Sequence, residues 1–198
     1  MERKKIEELA DIYSGQIMSR VAGLAVKEKK DSGSGKTYKV ITPKWIHDDG
    51  TITDPEKEAF TITYAPIDEK RIAKKGDIII KLSSPFDAGI VVDDGVGAII
   101  PSFCAVIRYR AKVNQEYLLA AINSSYVKKQ LVNNVSGQEL STVIPIGKIK
   151  TVEIPVPDKK TQEQIGKEYI EFQNRLATIR RIESLEKERL DKIFTELE

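Results

Sequence analysis

Gly33-Ser34-Gly35-Lys36-Thr37 has the residue types of a phosphate-binding loop, in which backbone amides and a lysine hold a nucleotide. The spacing does not support that chemistry. The glycine required five residues before Gly35 is Lys30, and Lys27-Glu28-Lys29-Lys30-Asp31 stands where a hydrophobic strand should lead in. What remains is a lysine-rich stretch, Lys27, Lys29, Lys30, Lys36, Lys39 and Lys44 against Glu28 and Asp31, which on charge alone reads as an exposed, solvated loop. His47 is the only imidazole, and no serine in a strand-turn-helix elbow accompanies it. Cys104 lies in Phe103-Cys-Ala-Val-Ile, the setting of a buried thiol, not of a nucleophile. Asp48-Asp49 and Asp93-Asp94 adjoin Gly50 and Gly95 and read as turn residues, not as acid/base pairs. One Cys and one His exclude a disulfide framework and a Cys/His zinc cage. This inventory predicts a protein that is not an enzyme and needs no cofactor or metal.

The elements around these residues follow from length and patterning. With 198 residues, 40% hydrophobic and 31% charged, the chain is expected to fold as one ordinary domain plus an appended element. A net charge of +2 is too small to announce a nucleic-acid partner by itself. Met1 to Ala10 carries no apolar run, and no stretch approaches the ~18 apolar residues of a membrane span, so a cytoplasmic protein with no membrane partner is expected.

Ile154-Pro155-Val156-Pro157 ends the first part, because two prolines favour extended chain and argue against a ladder strand or helix interior. From there on, Gly166 is the only Gly and there is no Pro. Apolar residues recur at Ile165, Tyr169, Phe172, Leu176 and Ile179, then at Leu190, Ile193 and Leu197, with spacings that alternate four and three as in a heptad seam. Glu183 and Glu186 fall on the seam midway, with Ile182 and Leu185 displaced one place earlier. Residues 158–198 are therefore predicted as one helix of roughly 50 to 60 Å. Such a helix is longer than the preceding domain is wide, so it must project, and its seam needs a partner.

Residues 1–157 read as mixed α/β. Strands are predicted at Thr37 to Ile41, Phe60 to Tyr64, Asp77 to Leu82, Gly89 to Val92, Ala98 to Ile100, Cys104 to Arg108 and Val152 to Ile154. A helix from Gln115 to Val132, capped by Asn114, and a short one from Ile6 to Ile12 complete the set. Strands outnumber helices and lack regular helical crossovers, which argues against a doubly wound nucleotide fold.

The order of segments resembles a known family. Leu9-Ala-Asp-Ile-Tyr-Ser-Gly15, Tyr38-Lys-Val-Ile-Thr-Pro-Lys-Trp-Ile46 with Asp-Asp-Gly50, and Lys75-Gly-Asp-Ile-Ile-Ile-Lys81 are similar to the target recognition domain of Type I restriction-modification specificity subunits. Gly89-Ile-Val-Val, Gly97-Ala-Ile-Ile-Pro-Ser-Phe-Cys-Ala-Val-Ile107, Glu116-Tyr-Leu-Leu-Ala-Ala-Ile-Asn-Ser, Ser136-Gly137, Ile154-Pro-Val-Pro157 and Gln162-Glu-Gln-Ile165 continue the likeness over essentially the whole chain. Each fragment alone is weak; their order carries the resemblance.

The resemblance implies a mixed α/β target recognition domain, residues 1–157, followed by a long C-terminal coiled-coil helix, residues 158–198, that spaces and dimerises. It implies a half-subunit that reads half of a bipartite site on double-stranded DNA. Two copies would pair antiparallel as a homodimer through Ile165, Tyr169, Phe172, Leu176, Ile179, Ile182, Leu190, Ile193 and Leu197. Modification (methyltransferase) and restriction subunits would be the catalytic partners, the chain itself doing no chemistry. Lys27, Lys29, Lys30, Lys36 and Lys44 would then neutralise phosphates. Base contacts are expected from Lys81, Ser83, Ser84 and Phe86, and from Gln138, Ser141 and Thr142, since Gln can pair with adenine and Ser or Thr with several base edges. The rival reading is a helix-mediated interaction protein whose globular domain binds protein or RNA.

Overall fold

The computed structural model describes residues 2–20, 36–52, 60–63, 66–92, 97–133 and 143–195, the side chains of 36, 60–63 and 133 excepted. The centre is a four-stranded antiparallel sheet in the order β2-β7-β5-β6, built from β2 (Ala10–Ser14), β5 (Ile78–Lys81), β6 (Ala88–Ile90) and β7 (Cys104–Tyr109). Ile79 pairs with both Val106 and Gly89, and Val106 pairs also with Tyr13 of β2, so β5 and β7 are bonded on both sides and their β-branched residues are buried on both faces. The two-residue period of a strand divides them. Ile78, Ile80, Ala105 and Ile107 face one core, and Ile79, Cys104 and Val106 face the other.

The first core is covered by helices: α1 (Ile6–Leu9), α2 (Gln115–Asn123), α3 (Ser125–Asn133) and α4 (Ile146–Thr151). The second is covered by irregular chain carrying Ile41, Ile46, Ala73, Val91, Ala98 and Ile100, with 3₁₀ turns at Pro43–Trp45 and Glu69–Arg71. Two small antiparallel pairs flank the main sheet, β3 (Lys36–Lys39) with β4 (Phe60–Thr63), and β1 (Glu2–Lys5) with β8 (Glu153–Val156). The chain closes with α5 (Lys159–Thr195), 37 residues and about 56 Å long. The architecture is the expected mixed α/β domain with a long C-terminal helix.

Four local expectations change. Helix Gln115 to Val132 is broken at Ser124, whose extended backbone (ψ 149°) ends α2 and whose Oγ accepts from Val127 N at 3.3 Å to start α3. The helix predicted over Ile6 to Ile12 stops at Leu9, because Ala10 begins a strand whose partner, β7, lies far along the chain. Ala98 to Ile100 is not a strand; Ile99 forms single bridges to Val40 and Ile72. Pro155 does sit in a ladder, opposite Arg3. Since Ile6 N donates to Val152 O, alternation makes Arg3–Pro155 a non-hydrogen-bonded pair, so the missing N–H of Pro155 costs nothing there. Its carbonyl points to the same side, away from β1, and accepts from the Tyr117 hydroxyl.

The helix α5 is tied down over its first half. Asp158 caps it, accepting from Thr161 N at 3.1 Å and Thr161 Oγ1 at 2.7 Å. Gln162 bridges two elements, accepting from Asn114 N at 2.8 Å and donating to Pro157 O at 2.8 Å. Gly166 meets the start of α2: a Cβ there would lie 2.8 Å from Asn114 Oδ1 and Glu116 Cβ and 3.0 Å from Tyr117 N. Gly166→Ala is therefore expected to push α5 away from α2 and destabilise the chain by about 1–3 kcal/mol. A fall in thermal midpoint, with helical circular dichroism retained below the transition, is the check; an unchanged midpoint would show that α5 seats without that close approach.

Candidate functional site

The antiparallel order brings the end of β2, the start of β7 and the end of β5 to one edge of the sheet. Gly15 N donates to Cys104 O, Gln16 N to Ile100 O, Ser102 N to Gln16 O and Leu82 N to Phe103 O. Ile144 N donates to Leu82 O, so the chain that follows residues 134–142 re-enters at the same edge. This rim thus gathers Gln16, Ile17, Ser83, Ser84, Phe103 and Val143. Gly15 is required at its base, where a Cβ would collide with the backbone of Pro101.

Phe103 is 59% exposed, a large aromatic held out from the rim while its neighbour Cys104 is buried. Ile17 and Val143 are also exposed. Arg71 Nη1 donates to Gln16 Oε1 at 2.7 Å, which sets a guanidinium next to the same edge. Arg20 is exposed at the point where the chain leaves for residues 21–35. Lys44 is exposed, its Nζ 5.2 Å from the Trp45 ring centre. Lys27, Lys29, Lys30, Gln138, Ser141 and Thr142 lie outside the described residues, as does the Lys36 side chain.

Two expected contacts are corrected. Phe86 is 3% exposed and packs in the helix-side core with its backbone in the left-handed region (φ 58°), so it cannot meet an external ligand. Lys81 is not an outward cation, because it and Lys128 both bind the buried Asp87, at 2.9 and 2.7 Å. Burial would push the Asp87 carboxyl up, but the hydrogen bonds from Lys128 and Lys81 outweigh it and hold the group below its ordinary 3.8. Ser84 is exposed and Ser83 partly so in the turn this ion cluster braces, with Phe86 N donating to Ser83 O. Ile17, Arg20, Arg71 and Phe103 were not singled out by the sequence. Phe103 carried a weak signal, since it follows Pro101-Ser102 and so precedes the strand instead of lying within it.

Cys104 is buried and burial pushes its thiol up to about 12. Among the described residues no three His, Cys, Asp or Glu side chains are grouped to hold a metal, and no described helix is long and apolar enough to cross a membrane. Asp48 and Asp49 lie in the expected turn, Asp49 accepting from Thr51 N at 2.8 Å.

The helix α5 presents two distinct faces. Gln162, Gly166, Tyr169, Gln173 and Arg180, spaced four, three, four and seven, turn toward the domain. Tyr169, expected on the dimer seam, is instead half-buried, with Asn123 Nδ2 donating to its hydroxyl at 2.9 Å. Ile165, Phe172 and Ile179 each precede one of these residues by one place and are rotated by about 100°. They are exposed, as are Ile182, Leu185, Leu190, Ile193 and Phe194. Leu176 is intermediate, and Leu197 lies outside the described residues. Glu183 and Glu186 pair within the helix, with Lys187 at 2.7 Å and Arg189 at 3.5 Å.

Residues 1–187 match the model of the Type I restriction modification DNA specificity domain, and the chain belongs to that family. The fold is similar to that of the HsdS subunit from Thermoanaerobacter tengcongensis, with a TM-score of 0.64 at 18% identity over 92% of this chain and 44% of that one. It is also similar to a chain from a structure describing complex assembly and conformational transition of the type I R-M system, with a TM-score of 0.61 at 17% identity over 97% of this chain and 43% of that one. The chain thus spans under half the length of these solved proteins. Comparison with curated proteins gave no match.

The Asp87 cluster makes a prediction about the turn below the rim. A carboxyl whose folded pKa is depressed contributes stability above its unfolded value and loses it as pH falls through the folded one. Stability should therefore decline below about pH 4, and Asp87→Asn should cost about 2 kcal/mol at pH 7 while flattening that acid limb. Urea unfolding of both proteins at pH 3 and pH 7 reads this; parallel pH profiles would mean that Asp87 is not the group responsible.

Proposed function

We propose that this chain is a non-catalytic, sequence-specific DNA-recognition half-subunit of a Type I restriction-modification complex. The observation that carries it is a family-matched domain with its surface loops and an exposed aromatic at one sheet edge, joined to a projecting helix with an uncovered apolar face. The rim reads one half of a bipartite duplex site. Ser83, Ser84, Gln138, Ser141 and Thr142 supply hydrogen bonds to base edges, and Phe103 makes an apolar contact such as with a thymine methyl. Lys27, Lys29, Lys30, Lys36 and Lys44, with Arg20 and Arg71, neutralise phosphates. Residues 1–157 form the reader and 158–198 the spacer.

A second copy pairs antiparallel through Ile165, Phe172, Ile179 and Leu190, with Ile182 and Ile193 flanking. Each of these side chains is about half exposed, so burying the remainder contributes roughly 1 kcal/mol each. The pair presents two readers at opposite ends, so the preferred DNA is a palindrome with an unread gap. Modification and restriction subunits supply methylation and cleavage, which places the complex in the cytoplasm with the DNA.

Selection from a random duplex pool, followed by titration at 50 and 200 mM salt, tests this. Seven cation–phosphate contacts predict a loss of affinity on the order of 10³- to 10⁴-fold over that range. Phe103→Ala is expected to leave the melting temperature unchanged and to relax preference at one base pair, at about 1–3 kcal/mol. Enrichment of RNA or of no sequence at all would favour the interaction-protein reading. Light scattering should give a dimer for the full chain and a monomer for the Ile179→Glu, Leu190→Glu variant.

A further inference from the structure

We infer that Arg180 is a positioning residue that clamps the projecting helix to the Asp48-Asp49 turn and so fixes the spacing between two DNA readers. The guanidinium forks across both carboxylates, Nη1 donating to Asp49 Oδ2 and Nη2 to Asp48 Oδ1. Asp49 is 1% exposed and, among the described residues, pairs with Arg180, so this is a built contact with a buried end and not a chance surface pair. A forked, bidentate pair also restricts orientation, which a single ammonium contact does not.

Its place along the helix gives the clamp leverage. Upstream, α5 is held against α2 at Gly166. Asp48 and Asp49 belong to a different part of the domain, the Ile46–Ile52 bridge over the second core, and Gly50 O accepts from Ile90 N of β6. Gly50 (φ 83°) lets that turn lie against Gln173 and Tyr169, where any Cβ would meet the Gln173 amide. Gly166 and Arg180 are fourteen residues apart, about 21 Å along the axis. Two anchors at that separation, on elements from opposite sides of the sheet, define a direction where one anchor would define only a pivot. Beyond Arg180 every residue to Thr195 is exposed, the apolar Ile182, Leu185, Leu190, Ile193 and Phe194 among them. Arg180 is thus the last hold before about 22 Å of free helix, and an angular change there is carried to its tip.

The consequence for DNA spacing rests on the bipartite reading proposed above, so the test has two arms. In the first, spin labels on Lys129→Cys and Lys192→Cys, both exposed positions, report the domain-to-tip distance, with labelled chain diluted into unlabelled chain. Cys104 is buried and does not label. One narrow distance is expected, broadened at least twofold by Arg180→Ala, with Arg180→Lys intermediate because it keeps the charge without the fork. Asp48→Ala, at an exposed carboxylate, opens the fork without orphaning Asp49, and is the decisive variant if Arg180→Ala fails to fold. Equal widths in the folded variants would overturn the clamp. In the second arm, duplex selection is expected to return the same half-sites for all proteins, with one gap length for the parent chain and two or more for the variants. A broadened distance with an unchanged gap would overturn the role in spacing. A broadened distance with no two-part site enriched would leave the clamp standing and reject the bipartite reading.

Discussion

One helix has to be held by its own domain and yet keep its apolar side available, and the division of faces on α5 is what meets both demands. The domain-facing row, Gln162, Gly166, Tyr169, Gln173 and Arg180, is almost free of aliphatic residues. A row of leucines there would bury more area, but it would merge with the neighbouring Ile165, Phe172 and Ile179 into one wide apolar arc that the domain would compete to cover. Gly166 and polar side chains instead give close approach and directional bonds. Asn123 extends the connection into the sheet: its amide donates to the Tyr169 hydroxyl and to Ala88 O, and Ala88 N donates back to its Oδ1. The helix is thereby wired to β6 through a residue that also closes α2. The apolar arc is left unspent.

The sheet solves a related problem at the rim. Burial on both faces makes β5 and β7 rigid, and that rigidity is useful only if the connecting turns are equally fixed. Each main turn carries a buried carboxylate. Asp77 takes two bonds of 2.7 Å from Arg108 and one of 2.9 Å from Lys74 N, shaping the approach to β5. Asp87 takes Lys81 and Lys128, fixing the exit from β5 below Ser83 and Ser84. Removing a partner from such a group leaves a buried charge, so these pairs specify the turn geometry more than they add net stability.

Legibility in the sequence followed the range of the interactions. Ile78-Ile79-Ile80 and Cys104 to Ile107 were readable as strands because burial on both faces demands unbroken β-branched or small apolar runs, and the long helix was readable because its seam repeats for many turns. Ala10–Ser14 and Glu2–Lys5 were not, since their strand character comes from partners about a hundred residues away or more. Pro155 was misjudged because the rule against proline in ladders depends on which side of the strand faces its partner. Phe86 and Lys81 looked like rim residues by position; only the three-dimensional path of the turn reveals that one dives into the core and the other meets Asp87. On α5, attention to hydrophobic spacing hid a second heptad of small and polar residues interleaved with the first. Gly166, the single glycine in forty residues, was the visible trace of it.

The positions of Phe103 and Arg180, neither singled out by the sequence, share a physical logic. Both are large side chains displayed from well-packed elements, Phe103 one residue before the fully buried Cys104 and Arg180 two turns beyond the buried Gln173. A side chain set that close to a rigid anchor transmits its own geometry faithfully, which neither a residue in mid-loop nor one at a helix tip can do. Contacts that must be met at a set position gain most from such placement, because errors of an ångström at the anchor grow along the lever. The stiffness of the doubly buried sheet and the two-point seating of α5 therefore belong to a single design, one fixing what lies at the rim and the other fixing where the rim lies relative to whatever covers the apolar arc.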